Sequence, residues 1–215
     1  MKVWHTLGFT GLFCGLLVFA FPETSRVPSP TATGRDPGAL AVPPGGVHQA
    51  TFGAGCFWCS EAVFQRVEGV EKATPGYMGG TAEEAHYRQI ITGRTGHAEV
   101  THLLFDPEKV SYEELLDLFF RMHNPTTLNR QGADVGPHYR SVIFYHHEDQ
   151  RQAALAMIAQ INEEGRFANP IVTEVTASLP FYPAEEEHLN FFNRNPSHPY
   201  NQRVVAPKLR DLGKE

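Results

Sequence analysis

The chain has 215 residues, 41% of them hydrophobic and 20% charged, a balance that fits one globular domain with sequence to spare. A formal net charge of −6, with no block of basic residues, excludes long-range attraction to nucleic acid or to an anionic membrane surface.

The N-terminus reads as an address rather than as fold. Residues 1–21 carry Lys2, an apolar run from Leu7 to Phe21 and a small-residue cleavage site at Val18-Phe19-Ala20, followed by Pro22. This is the outline of a signal peptide or N-terminal anchor. The run is shorter than the roughly 20 residues a spanning helix needs, so export to a periplasmic or extracytoplasmic compartment is expected ahead of an uncleaved tether. Cys14 lies within the run and reads as one of its apolar residues. Residues 22–46 are rich in Pro, Gly, Ser and Thr without apolar periodicity, which makes them a flexible linker. If the leader is removed, the domain at 47–215 holds two cysteines, Cys56 and Cys59.

Within that domain "HQATFGAG" predicts a short strand entering a Gly-rich turn, and Cys56 then opens a helix in which Phe57, Phe64 and Val67 share a face. "TPGYMGG" predicts a loop from its proline and glycines. "AEVTHLLFDP" predicts a strand closed by Asp106-Pro107. "SYEELLDLFFRM" predicts a helix: Ser111 and Glu114 have capping-box spacing, and Tyr112, Leu115, Leu116, Phe119 and Met122 fall on one face. The polar segment "HNPTTLNRQGADVGPHYR" is long for a loop without work to do. A strand around Val142 to Tyr145 follows, then a helix over "EDQRQAALAMIAQINEEG" stopped by Gly165, a strand at "IVTEVTA" and a last short helix at "AEEEHLNFF". Strands alternating with helices imply an α/β or α+β sheet with helices packed on it.

The pair in "GCFWC" admits four readings. A structural disulfide suits an exported protein, but closing so small a loop stabilises by roughly 2 kcal/mol, against about 4.7 for a loop of 100 residues. A zinc site would need the half-motif completed among the eleven histidines, and no second CxxC or regular HxxxH does so. A general thioredoxin-like thiol-disulfide oxidoreductase fits CxxC at a strand-to-helix junction, yet leaves "GADVGPHYR" and "GHAE" without a task. In the fourth reading Cys56 is a nucleophile whose thiol is acidified by the helix N-terminus, with Cys59, one turn further in, resolving it.

Taken in order, "GCFWC", "GYMGG", "TGHAEV", "FDPEKVSYEELLDLFF", "RQGADVGPHYRSVIFY" and "PAEEEHLNFF" resemble the peptide methionine sulfoxide reductases of the A type, from about Val47 to Leu212. The resemblance implies a ferredoxin-like two-layer sandwich with irregular extensions. It also implies a peptide-methionine (S)-S-oxide reductase (EC 1.8.4.11), which repairs oxidised proteins by reducing methionine S-sulfoxide, in proteins or free. In that family's terms Cys56 attacks the sulfoxide, Glu99 protonates its oxygen, Tyr87 and Tyr139 hydrogen-bond that oxygen, and Cys59 condenses with the Cys56 sulfenic acid. Phe57 and Trp58 match the wall that takes the methyl group, Asp134 a carboxylate that holds the substrate backbone, and His188 a group at the mouth. Read alone, Glu99 is a solvated strand-end carboxylate, Asp134 a turn aspartate and His188 a surface histidine. No metal and no bound cofactor are implied. An external thiol reductant is required, thioredoxin or dithiothreitol, and the partners are a thioredoxin-like protein and proteins carrying methionine sulfoxide, met by a monomer.

The chain departs from the pattern in places. Pro199-Tyr200-Asn201 stands where many relatives have Pro-Tyr-Cys, so no distal cysteine relays the oxidation and Cys59 must act alone. His138 replaces a common Gln, Glu187 and Leu189 replace an aromatic and a Gln, and "HNP" at His123 to Pro125 replaces a more frequent Asp-Pro. The changes at His138, Glu187 and Leu189 bear on the substrate's entrance and leave the acid and nucleophile in place.

Overall fold

The computed structural model describes Met1 and residues 48–215; residues 2–47, with Cys14 and nearly all of the expected leader and linker, lie outside it. Strand β1 (His48–Ala54) runs into helix α1 (Phe57–Phe64), and strands β2 (Val70–Met78) and β3 (Ala98–Phe105) follow. A single turn, α2 (Tyr87–Ile90), interrupts the β2–β3 connection. Helix α3 (Tyr112–Met122) leads through a two-residue ladder, β4 (Arg130–Gln131) with β5 (Asp134–Val135), to β6 (Ser141–Tyr145). Helix α4 (Glu148–Glu163), strands β7 (Glu174–Ala177) and β8 (Tyr182–Pro183), and short helices α5 (Phe191–Arg194) and α6 (Ala206–Asp211) complete the chain.

Six strands form one mixed sheet in the order β7-β6-β1-β3-β2-β8, antiparallel throughout except for the parallel β6–β7 edge. The mixed α/β class expected from the alternation of elements holds. On one face Phe52 stacks between Phe64 of α1 and Phe119 of α3, at ring-centre distances of 5.6 and 5.1 Å, and Leu103, Phe105, Leu115 and Ile161 fill the space around them. Met78, Val100, Val142, Phe144 and Phe181 form a smaller cluster of their own.

The strong helix signals are realised as read. Ser111 Oγ accepts the Glu114 N–H while the Glu114 carboxylate accepts the Ser111 N–H, a complete capping box at the start of α3. Two expectations are corrected. "TPGYMGG" is not a loop: Thr74 to Met78 pair with β3 as the end of β2. Pro75 is tolerated because its carbonyl oxygen faces the β8 side, accepting the Ala184 N–H at 2.9 Å, so its missing N–H falls where the neighbouring strand is only two residues long. Gly76 is there for close approach, since a Cβ would lie 2.4 Å from the Tyr182 oxygen.

"AEEEHLNFF" is not one helix but a 3-10 turn at Glu186–His188, a left-handed Asn190 (φ 52°) and the four-residue α5. Nor is it the last element, because a π turn at Asn201–Val205 runs directly into α6. His123, which opens the "HNP" stretch, is a satisfied core residue: it bonds the Phe119 carbonyl oxygen through Nδ1 (2.6 Å) and Ser141 Oγ through Nε2 (2.7 Å), and burial pushes its pKa down to about 3.

Candidate active site

Gly55, at φ +87°, turns the end of β1 sharply enough that Cys56 becomes the N-cap of α1. A side chain at Gly55 would run into Gln131, with a Cβ only 2.6 Å from that residue's own Cβ, so the junction is also pressed against the β4–β5 segment. Cys56 and Cys59 are both free thiols, 8% and 2% exposed, and the Cys59 N–H donates to the Cys56 carbonyl oxygen at 3.1 Å across the first turn.

Glu99 enters from the middle of the sheet, on β3 opposite Tyr77 of β2. It is 1% exposed, which overturns the reading of a solvated strand-end carboxylate. One oxygen, Oε2, accepts the N–H of Phe57, the first residue of α1, at 3.1 Å, so the carboxyl sits at the helix terminus that also carries Cys56. Burial pushes Glu99 up to about 8, the Phe57 N–H opposes the rise, and Asp134 adds to it. At neutral pH the group is therefore a carboxylic acid with a proton to give.

The thiols do not behave as the helix terminus alone predicts. Burial raises Cys56 well above its ordinary value, the Glu99 and Cys59 charges raise it further, and the Tyr200 hydroxyl and Trp58 N–H offset only part of this. The expectation that the helix N-terminus acidifies Cys56 is thus corrected: desolvation of a largely buried sulfur outweighs the helix dipole. Cys59 is also raised, by burial first, while the charge of Lys208 and the Tyr200 hydroxyl pull it down. What singles out Cys56 is its place beside the acid, not a lower pKa.

Aromatic side chains wall the site. Phe57 is 1% exposed and lies 5.8 Å from the Tyr77 ring and 5.4 Å from His188, while Trp58 stacks on Phe191 with ring centres 3.7 Å apart. Cys56, Phe57, Tyr77, Ile90 and Ala184 form one buried cluster, against which Trp58, Tyr87, Tyr139 and Tyr200 pack. Tyr87 and Tyr139 both have raised pKa values, from burial first and then from the charges of Glu99 and Cys56. Both phenols consequently keep their protons as donors.

His188 is 5% exposed rather than a surface residue. Its Nδ1 accepts the Trp58 indole N–H at 3.2 Å, which leaves the proton on Nε2, a buried atom without a partner among the described residues. Burial lowers its pKa and keeps the ring neutral. Asp134 is more than a turn aspartate: its Oδ2 accepts the Tyr200 hydroxyl at 2.8 Å. His138 packs on Tyr139 at 4.0 Å between ring centres.

Every candidate named from the sequence thus converges on one site. Several contributors were missed. Tyr200 lies 3.6 Å from Cys59 Sγ, and Glu185 accepts both the Tyr77 hydroxyl and the Tyr87 N–H at 2.8 Å. Glu61, 2% exposed, accepts the N–H groups of Asn190 (2.7 Å) and Phe191 (3.3 Å) and so ties α1 to the segment bearing His188. Tyr200 sits in the Pro-Tyr-Asn stretch and Glu185 in "AEEEHLN", both within recognisable segments, whereas nothing local in the sequence marks Glu61.

A buried cysteine beside a buried carboxyl, on a mixed α/β fold, is a site in keeping with an oxidoreductase. The family model described as peptide methionine sulfoxide reductase matches residues 48–215, and the chain belongs to that family, in its A type, as an enzyme of class EC 1.8.4.11. A similar curated protein, peptide methionine sulfoxide reductase MsrA of Deinococcus radiodurans, is 43% identical over 97% of this chain and 95% of its own length. The enzyme of the same name from Nautilia profundicola is 51% identical over 75% of this chain and 91% of its own. Among solved structures, reduced Mxr1 from Saccharomyces cerevisiae is similar with a TM-score of 0.66 and 31% identity, covering 73% of this chain and 90% of that one. Methionine sulfoxide reductase A of Corynebacterium diphtheriae follows with a TM-score of 0.62 and 30% identity, covering 70% and 76%.

Proposed function

We propose that the chain reduces the S epimer of methionine sulfoxide, in proteins or free, through a Cys56 sulfenic acid and a Cys56–Cys59 disulfide, and so repairs oxidised proteins. The observation that carries this reading is the buried, protonated Glu99 held by the Phe57 N–H at the first turn of the Cys56 helix.

In the resting site Cys56 and Glu99 are both neutral, so no unpaired charge is buried. As the Cys56 sulfur attacks the sulfoxide sulfur, charge collects on the oxygen, and Glu99 is the acid able to protonate it. Tyr87 and Tyr139 supply further hydrogen bonds to that oxygen. The carboxylate left on Glu99 takes the proton that Cys56 gives up. The substrate S–O bond then breaks as its hydroxyl passes to the Cys56 sulfur and the transient S–S bond opens; methionine departs, Cys56 is left as a sulfenic acid, and Glu99 is again protonated.

Phe57 and Trp58 offer the apolar wall for the S-methyl group, and Asp134 and His188 hold the rest of the substrate. The Cys59 thiol then displaces water from the sulfenic acid to form the disulfide. A thioredoxin-like protein, or dithiothreitol, resets both thiols, and no bound cofactor takes part. The β–α–β–β–α–β run with its four strands ordered fourth, first, third, second supports a ferredoxin-like core. The apolar run at residues 7–21 supports export of the domain on a linker at 22–46, into a compartment outside the cytoplasm.

The test is turnover of the two epimers of an N-capped methionine sulfoxide peptide with dithiothreitol as reductant. Turnover of the S epimer alone is expected; equal use of both would overturn the reading. A general thiol-disulfide oxidoreductase would instead reduce insulin disulfides and leave methionine sulfoxide untouched.

A further inference from the structure

Tyr200, Val204 and Lys208 are spaced by four residues through the π turn and α6. All three line a cavity of about 250 Å³ shared with Cys56, Cys59 and Asp134. Two charged side chains line it, Asp134 and Lys208. Asp134 is engaged by the Tyr200 hydroxyl, whereas no carboxylate lies within ion-pair distance of Lys208 among the described residues. Lys208 thus shares this cavity with both sulfurs.

We infer that Lys208 is a positioning residue for the second half of the cycle, its ammonium easing formation of the Cys59 thiolate that attacks the Cys56 sulfenic acid. This rests on the thiol cycle proposed above. In that step the Cys59 sulfur bonds to the Cys56 sulfur, the S–O bond of the sulfenic acid breaks, and the oxygen leaves as water with the proton that Cys59 gave up. Cys59 is oxidised and the Cys56 sulfur is reduced from the sulfenic to the disulfide level. The departing thiol proton is the difficulty, because Cys59 is only 2% exposed.

The groups facing Cys59 decide whether it can ionise. Lys208 gives the largest downward pull, the Tyr200 hydroxyl adds to it, and Asp134 and Glu99 oppose it, as does any charge on neighbouring Cys56. Protonation of Glu99 removes one opponent at neutral pH. The position that carries a distal cysteine in many relatives is Asn201, wholly buried here and donating to the Asn195 carbonyl oxygen at 2.7 Å, so the domain holds no third cysteine to share the task.

The experiment compares the wild-type full chain with Lys208→Met and Lys208→Arg, each given one equivalent of the S-sulfoxide peptide without reductant. Methionine release reads the first half of the cycle; loss of free thiols and trapping of the sulfenic acid read the second, from pH 6 to 10. In Lys208→Met the pH limb of disulfide formation is expected to move up by about one pH unit, which leaves about tenfold less thiolate at neutral pH. A more basic thiolate is a better nucleophile, so the net loss is about threefold at neutral pH and reverses above the limb. Lys208→Arg, which keeps the charge, should restore the wild-type limb. Slowing by a constant factor at every pH, or an unmoved limb with methionine release intact, would overturn the role of Lys208. Absence of the methionine burst from the wild type would overturn the thiol cycle itself, and this role with it.

Discussion

The β1–α1 junction and the C-terminal segment from Tyr182 to Leu212 build the same site by opposite means. At the junction four consecutive residues, Cys56 to Cys59, are placed by a single glycine turn and one helix start. The C-terminal segment has little regular structure and is held by hydrogen bonds to distant groups: Glu185 to Tyr77, His188 to Trp58, Asn190 to Glu61 and Tyr200 to Asp134. The reacting sulfurs come from a local motif, and their surroundings come from long-range assembly. Damage to the first should therefore stop the chemistry, and damage to the second should detune or loosen it.

The largest effects should fall on the junction. Cys56→Ser is expected to abolish methionine formation in both single-turnover and steady-state assays. Cys59→Ser should still release one equivalent of methionine per chain but lose thioredoxin-driven cycling. Full cycling by the Cys59 variant would break the division of labour between the two sulfurs.

Glu99→Gln comes next, because the amide keeps the shape and removes the acid. A fall of about 10²–10⁴ in the single-turnover rate is expected, the usual worth of general acid catalysis. The pH dependence follows from the raised pKa. Glu99 carries its proton, and is neutral, below about 8 and loses it above, so wild-type methionine formation should decline as pH rises through about 8. That limb should vanish in Glu99→Gln; a rate that rises steadily to pH 10 would instead point to thiolate supply as the controlling ionisation.

Tyr200→Phe tests the other region with a smaller change. It removes the donor to Asp134 and the hydroxyl 3.6 Å from Cys59, at the cost of a hydrogen bond to a charged partner, about 1.5 kcal/mol or tenfold. The loss should appear in disulfide formation, followed by thiol counting, more than in methionine release. An equal loss in both would mean that the hydroxyl serves the whole cavity.

How much of this was legible follows the same division. The capping box and apolar face of α3, the Gly165 stop of α4 and the Cys56 helix start all act within a few residues, and sequence periodicity found them. The end of β2 was missed because Pro75 and Gly76 carry turn chemistry, and what makes them a strand is β3 on one side and a close Tyr182 oxygen on the other. The π turn and α6 have no such local signal, and so Lys208 went unread. For the site, the resemblance supplied Glu99, Tyr87 and Tyr139, but burial set their protonation, and it reversed the expected acidity of Cys56. Glu61 was invisible because its partners are two backbone N–H groups about 130 residues away.

Glu61 joins the two regions, and its variant should separate fold from chemistry most cleanly. Its carboxyl is on α1, yet the groups it binds start α5, so breaking this contact loosens the C-terminal segment while Cys56, Glu99 and the junction turn stay intact. Burial pushes Glu61 up to about 7 in the folded chain, above the ordinary value of 4.5 that applies when it is unfolded. The folded state therefore holds this proton more tightly, and the stabilisation it brings is complete below pH 4.5 and lost as pH rises through about 7. Glu61→Gln fixes the neutral form. Thermal melts from pH 5 to 8 should show a smaller loss of stability in the variant than in the wild type, by about a kcal/mol or two at pH 8. Because Gln retains one acceptor for two N–H donors, the variant should start about 1 kcal/mol lower at pH 5. Parallel melting curves at all pH values would show that Glu61 is held as a carboxylate by Asn190 and Phe191, and that the joint between the regions is charged rather than neutral.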